Sequence, residues 1–233
     1  MCRILMCNKE FVNKTSKEEM LVFLDQLQKS CGGHGNGLAF VTKGEVVFSY
    51  KAIDLTNEDI VDMLYHKKTK KPDWFFYHTR VASAGSIKSE NCHPYVNETN
   101  DFMLQMNGTE RDFGALGKDR DVTDTQIIFE IYNKTGYDIA SLRLLSPRFM
   151  GLSKGKVFAT NPSSSPLKYY QDEDGAFAIA SEFEATRDNV KTMKKSYVWL
   201  EGEEIQEEPE VTYTNNRYNN YYNGLNNSNA YSA

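Results

Sequence analysis

The sequence predicts an α+β protein, and three observations predict it. Helix-spaced segments sit between two groups of strand-like runs, which is not the one-for-one alternation of a parallel α/β fold. A chain of 233 residues, 40% hydrophobic and 25% charged, has the composition and length of a single globular core. Four cysteines (Cys2, Cys7, Cys31, Cys92) are too few and too scattered for a disulfide scaffold, so the core has to come from packing.

The elements follow in order. A short apolar start, Ile4-Leu5-Met6, precedes Ser16-Lys17-Glu18-Glu19, a capping box leading into Leu21, Leu24 and Leu27 at helical spacing. That helix should stop at Cys31-Gly32-Gly33. Leu38 to Val41 and Glu45 to Tyr50 read as a hairpin turning through Thr42-Lys43-Gly44. Thr56 to Asp59 caps a second helix carrying Ile60, Met63 and Leu64. After Pro72, the aromatic run Trp74 to Tyr77 suits a central strand that runs into His78-Thr79-Arg80.

A further strand, Phe102 to Met106, runs into Asn107-Gly108. Thr123 to Gln126 has capping-box spacing ahead of Ile127, Ile128 and Ile131, with Gly136 closing the helix. A shorter helix is expected from about Ile139 to Leu145. The second set of strands is read at Arg148 to Leu152, Val157 to Thr160, Leu167 to Tyr170, Ala176 to Ala180 and Ser196 to Leu200.

Residues 1–205 are read as one domain and 206–233 as an acidic, then Asn/Tyr-rich tail. Six glutamates fall between Glu201 and Glu210, and the segment that follows has almost no aliphatic side chains to offset the entropy of ordering it. The tail is therefore expected to be disordered or loosely docked. The net charge of −5 and a single basic run at Lys67, Lys68, Lys70 and Lys71, placed where lysines complement a helix C-terminus, point to no nucleic-acid partner. No secretory n- and h-region opens the chain, and no stretch approaches the ~20 apolar residues of a membrane span, so the reading is a cytoplasmic protein without a membrane partner.

Cys2 is the residue that asks for chemistry. As a start-of-strand cysteine it could simply be buried. At position two, however, removal of Met1 would give it a free α-amine with a pKa of about 7.7–8.0, able to take the thiol's proton near neutral pH. Asn107 and Gly108 at a strand end could offer a side-chain amide and a backbone N–H to one oxygen; an Asn-Gly pair also suits a tight hairpin turn. Arg80 is a candidate carboxylate clamp or a structural salt bridge. Asp124 lies in a helix first turn, where the dipole favours its charge whether or not a ligand is present.

Two other motifs carry less. "CGGHGNG" (Cys31 to Gly37) lacks the ending of a phosphate loop and offers only Cys31 and His34 to a metal, too few for zinc. Cys92 and His93 are adjacent on an extended segment and so point to opposite faces, which favours a structural role. Nothing calls for a metal or an organic cofactor.

Taken together, "MCRIL", "HGNGLAF", "HTRVASAG", "ENCHPY", "MNG" and "TDTQII", followed by "SPLKYY" and "AIASE", resemble in order the class II glutamine amidotransferases. These are N-terminal-nucleophile (Ntn) hydrolases that free ammonia from glutamine, and the chain looks most like their stand-alone members. The resemblance spans residues 2 to about 200. It implies a four-layer αββα sandwich, Cys2 as nucleophile with its own α-amine as base, Asn107 and Gly108 as oxyanion hole, Arg80 on the substrate α-carboxylate and Asp124 on its α-amine.

The sequence departs from the family pattern at Val81, Ala84, Met106 and Thr160-Asn161-Pro162, changes expected to alter the pocket wall. The resemblance implies glutamine or another γ-glutamyl amide as substrate, and either a separate ammonia-accepting synthase as partner or a hydrolase that works alone. A non-catalytic Ntn-fold binding or assembly protein is the rival from another class. The sequence leaves the oligomeric state open.

Overall fold

β1 (Arg3–Asn8) carries Ile4 and Met6 on one face and Leu5 and Cys7 on the other, all fully buried. A strand buried on both faces must lie inside the molecule, between two apolar layers. The computed structural model, which describes residues 2–67, 70–136, 138–162, 166–184, 187–193 and 197–203, places it in that position. The proposed tail at 206–233, Lys68 and Ser196 lie outside the described residues.

β1 is a central strand of a seven-stranded antiparallel sheet. Its neighbours are β4 (Trp74–Thr79) and β10 (Phe177–Ala180). Outside β4 come β2 (Asn36–Thr42) and β3 (Glu45–Ala52); outside β10 come β9 (Lys168–Gln171) and β11 (Val190–Thr192). A second, five-stranded sheet runs β12 (Tyr197–Leu200), β8 (Lys156–Asn161), β7 (Arg148–Ser153), β6 (Phe102–Asn107) and β5 (Tyr95–Val96).

Three apolar cores separate four layers. Leu5 and Cys7, with Phe75 and Tyr77 of β4, face α1 (Lys9–Lys14), α2 (Lys17–Cys31) and α3 (Asn57–Tyr65). Ile4, Met6 and Phe76 pack between the sheets against Met103, Met150, Leu152, Val157 and Ala159. Phe102, Leu104, Met106, Phe149 and Phe158 meet Ile128 and Phe129 of α5 (Asp124–Thr135), with Phe113 of α4 (Arg111–Gly117) beside them. This is the expected α+β sandwich in the order αββα.

The helix ends follow their sequence signals. Ser16 accepts from Glu19 N–H at 3.1 Å while the Glu19 carboxylate takes Ser16 N–H at 2.7 Å, and Thr56 and Asp59 form the same reciprocal pair. At Thr123 only half of the box forms: its hydroxyl accepts from Gln126 N–H at 3.1 Å, but the Gln126 side chain turns to Glu130. Gly136 closes α5 in the left-handed region at φ 93°. The segment expected to be a short helix near residue 139 is a 3₁₀ turn, Ile139–Leu144. Among the described residues no helix is long and apolar enough to cross a membrane.

Candidate active site

Cys2 stands one residue before β1 and is 5% exposed. Strand alternation sets it on the face of Ile4 and Met6, between the sheets. Its Sγ accepts from Val81 N–H at 3.4 Å, and its thiol lies 3.6 Å from Val81 O. Burial is the largest influence on this thiol and pushes it up; the Val81 N–H and the Arg80 charge pull it down, and Asp124 pushes it up again. A thiol in such a place needs a base to become a nucleophile.

Asn107 ends β6 on the same inter-sheet face as Met103, two pleats along. Its Nδ2 donates to Ser181 Oγ at 2.7 Å, and that hydroxyl oxygen also accepts from Ile4 N–H at 3.0 Å. One hydroxyl thus ties the second sheet to β1, two residues from Cys2. Asn107 Oδ1 is buried with no partner among the described residues. Turning the amide over would let Ser181 donate to Oδ1 and leave Nδ2 in the unpartnered place, an assignment that only the hydrogen-bond network decides. Gly108 follows at φ 139°, and a Cβ there would come within 2.9 Å of Pro147. The pair is therefore not a hairpin turn: β6 pairs with β5 and β7, and the chain leaves Gly108 for α4.

Arg80 lies one residue beyond β4 and is 2% exposed. Its backbone is pinned on both sides, donating to Gly35 O at 2.8 Å and accepting from His34 N–H at 2.9 Å. Its guanidinium donates to Ser86 O at 2.9 Å, Ala84 O at 3.0 Å and Gly85 O at 3.1 Å. These partners are backbone carbonyls, so the guanidinium keeps its full charge uncompensated by them.

Asp124, the first residue of α5, is 3% exposed. Its carboxylate accepts from Glu110 N–H at 2.7 Å and Thr125 N–H at 2.9 Å. Burial nonetheless pushes its pKa up, outweighing both bonds. A cation arriving beside it would relieve that cost. The charges of Arg80 and Asp124 both act on the Cys2 thiol, with opposite sign. Among the described residues no group of three or more His, Cys, Asp or Glu could hold a metal.

Some features were not anticipated. Ser181 was seen only as part of "AIASE"; its signal was a polar residue at the end of the fully buried run Ala178-Ile179-Ala180. The His78 and His93 rings meet at a 50° tilt with centroids 4.1 Å apart, and burial pushes both pKa values down, His78 to about 3. Both are neutral, and His93 Nδ1 accepts from Met106 N–H at 3.4 Å, a structural role as expected. Met106 does not alter the pocket wall: its side chain is on the opposite face of β6, in the core under α5.

Two antiparallel sheets stacked between helical layers, with a cysteine at the head of a central strand, constitute the Ntn-hydrolase architecture. Solved structures with this fold bear that out. Glutamine phosphoribosylpyrophosphate amidotransferase from Bacillus subtilis aligns over 86% of this chain and 47% of its own, at 15% identity and a TM-score of 0.58. The allosteric regulatory enzyme of purine biosynthesis aligns over 86% and 46%, at 15% identity and 0.59. A glutamine aminotransferase class-II domain protein from Silicibacter pomeroyi aligns over 88% and 96%, at 14% identity and 0.50. The chain spans about half the length of the first two. No protein-family model and no curated protein sequence matches the chain. The fold is that of the class II glutamine amidotransferase domain.

Proposed function

We propose that the chain hydrolyses the side-chain amide of glutamine through Cys2 and releases ammonia for a separate acceptor enzyme. The observation that carries this reading is the Ser181 hydroxyl, which ties Asn107 to β1 beside the nucleophile. A nucleophile from one sheet and an oxyanion donor from the other then face the same space.

The chemistry follows from the groups present. With Met1 removed, the Cys2 α-amine takes the thiol proton, and the thiolate attacks the amide carbon. The oxygen that becomes anionic is met by Asn107 Nδ2 and Gly108 N–H. The protonated amine returns its proton to the leaving nitrogen, the C–N bond breaks, and ammonia departs from a thioester. Water, deprotonated by the same amine, attacks the thioester and frees glutamate. Arg80 and Asp124 suit the far end of the substrate, which bears one carboxylate and one ammonium.

A second reading, a different γ-glutamyl amide, draws on the small side chains at Val81 and Ala84, beside Cys2 and on the Arg80 loop. Intact mass of the purified chain, followed by ammonia and glutamate release from glutamine, tests the proposal. The processed protein should release both, and Cys2→Ala should release neither. Equal release by the two proteins, or a Met1 retained in the active form, would overturn the mechanism.

A further inference from the structure

The segment after Arg80 lacks the packing that fixes the rest of the site. Residues 81–88 are all exposed or half-buried. Beside them lies a cleft of about 510 Å³ that Ser83, Gly85, Thr109, Lys118 and Asp121 help to line. With no apolar side chain buried in the core, the loop is held by its hydrogen bonds.

Those bonds converge on Asp121. Its Oδ1 accepts from Ser86 N–H at 2.7 Å, and its Oδ2 accepts from Ser86 Oγ at 2.6 Å and Lys88 Nζ at 3.0 Å. The Asp121 carbonyl accepts from Asn91 Nδ2 at 3.1 Å, which also donates to Ser86 O at 3.0 Å. Ser86 O is in turn the acceptor for Arg80 Nη1. Charge-assisted bonds to a backbone N–H and a hydroxyl are the stronger arms. The Lys88 pair, half-open to solvent, is the weaker one.

Asp121 is three residues ahead of Asp124. One side chain therefore links the loop that holds the Arg80 fork to the segment that leads into the Asp124 helix. We propose that Asp121 is a positioning residue that sets the spacing between the Arg80 guanidinium and the Asp124 carboxylate, and thereby the site's grip on the zwitterionic end of its substrate. This rests on the glutamine reading above. Asp121 bonds to Ser86, Lys88 and Asn91 rather than to Cys2, so its loss weakens recognition and leaves the chemical step intact.

The test compares Asp121→Ala with the unmodified chain in three measurements. KM for glutamine should rise about tenfold while kcat stays within about twofold. Inactivation by a diazoketone analogue of glutamine, which needs the zwitterion clamp, should slow by a similar factor. Alkylation of Cys2 by iodoacetamide, followed by peptide mass, should be unchanged. An unaltered KM, or a fall in both labelling rates together, overturns the proposal. If Asp121→Ala does not fold, Ser86→Ala, which removes one of the two strong arms, should raise KM about two- to fourfold with the same split, and no rise there overturns it equally. An unmodified chain that reacts with iodoacetamide but not with the diazoketone would refute glutamine as substrate, and the latch with it.

Discussion

On the proposed glutamine reading, one buried carboxyl, Asp124, sets the pH range in which a substrate ammonium can be held. The Asp124 pKa is raised by burial, so on acidification it takes up a proton at a higher pH than an exposed aspartate does. Only the anion pairs with a substrate amine; KM for glutamine should therefore climb as pH falls, beginning before an exposed aspartate would titrate. A pH series of KM checks this, and Asp124→Asn should give a high, flat KM over the same range. Under the proposed mechanism Asn107 acts at a different stage: its amide would meet charge that exists only in the transition state, so Asn107→Ala should lower kcat about 10²–10³-fold with little change in KM. Steady-state kinetics decide it, and a rise in KM alone would make Asn107 a substrate-binding group instead. His78 and His93 illustrate the contrary case: two imidazoles near the cleft, both kept neutral by burial, neither suited to moving a proton.

At the scale of elements, close approach between strands is the most exacting requirement. Gly151 of β7 lies opposite Leu104 of β6, and a Cβ on Gly151 would sit 1.9 Å from Met103 O. Backbone has to move to admit it, so Gly151→Ala should destabilise by at least the ~1–3 kcal/mol of an overpacked core, measured as a lowered denaturation midpoint. The strands and the three long helices were legible because their apolar spacing and caps are local in sequence. α1 escaped because it is six residues long and its cap, Asn8, is also the last residue of β1. α4 contains two glycines and no capping bond from Glu110, and β5 and β11 are two and three residues long. Of the site, Cys2, Arg80, Asn107, Gly108 and Asp124 stood out through motif order, whereas Ser181 and Asp121 did not. Their bonds join residues 74 and 35 positions apart, and such pairings leave no period in a sequence.

For the whole molecule, the sandwich separates what holds it together from what it does. The candidate site lies at the Cys2 end of β1. At the other end Asn8 pairs with Trp74, whose ring meets Trp199 of the opposite sheet at 5.7 Å and Phe177 at 6.2 Å. Phe177 and Trp199 stack at 5.0 Å, and Trp74 Nε1 donates to Glu201 at 2.8 Å. This aromatic clasp joins the sheets roughly 20 Å from Cys2, the length of six strand residues at about 3.3 Å each. Trp199→Ala removes the ring that meets both Trp74 and Phe177 and should destabilise by about 3 kcal/mol, the lower part of the range for a buried aromatic. A rigid central strand transmits little of that loss, so kcat and KM should stay within about twofold at temperatures where the variant remains folded. Denaturation and kinetics on the same preparation test the separation. A KM that rises with the loss of Trp199 would mean that the clasp also sets the spacing of the sheets at the candidate site.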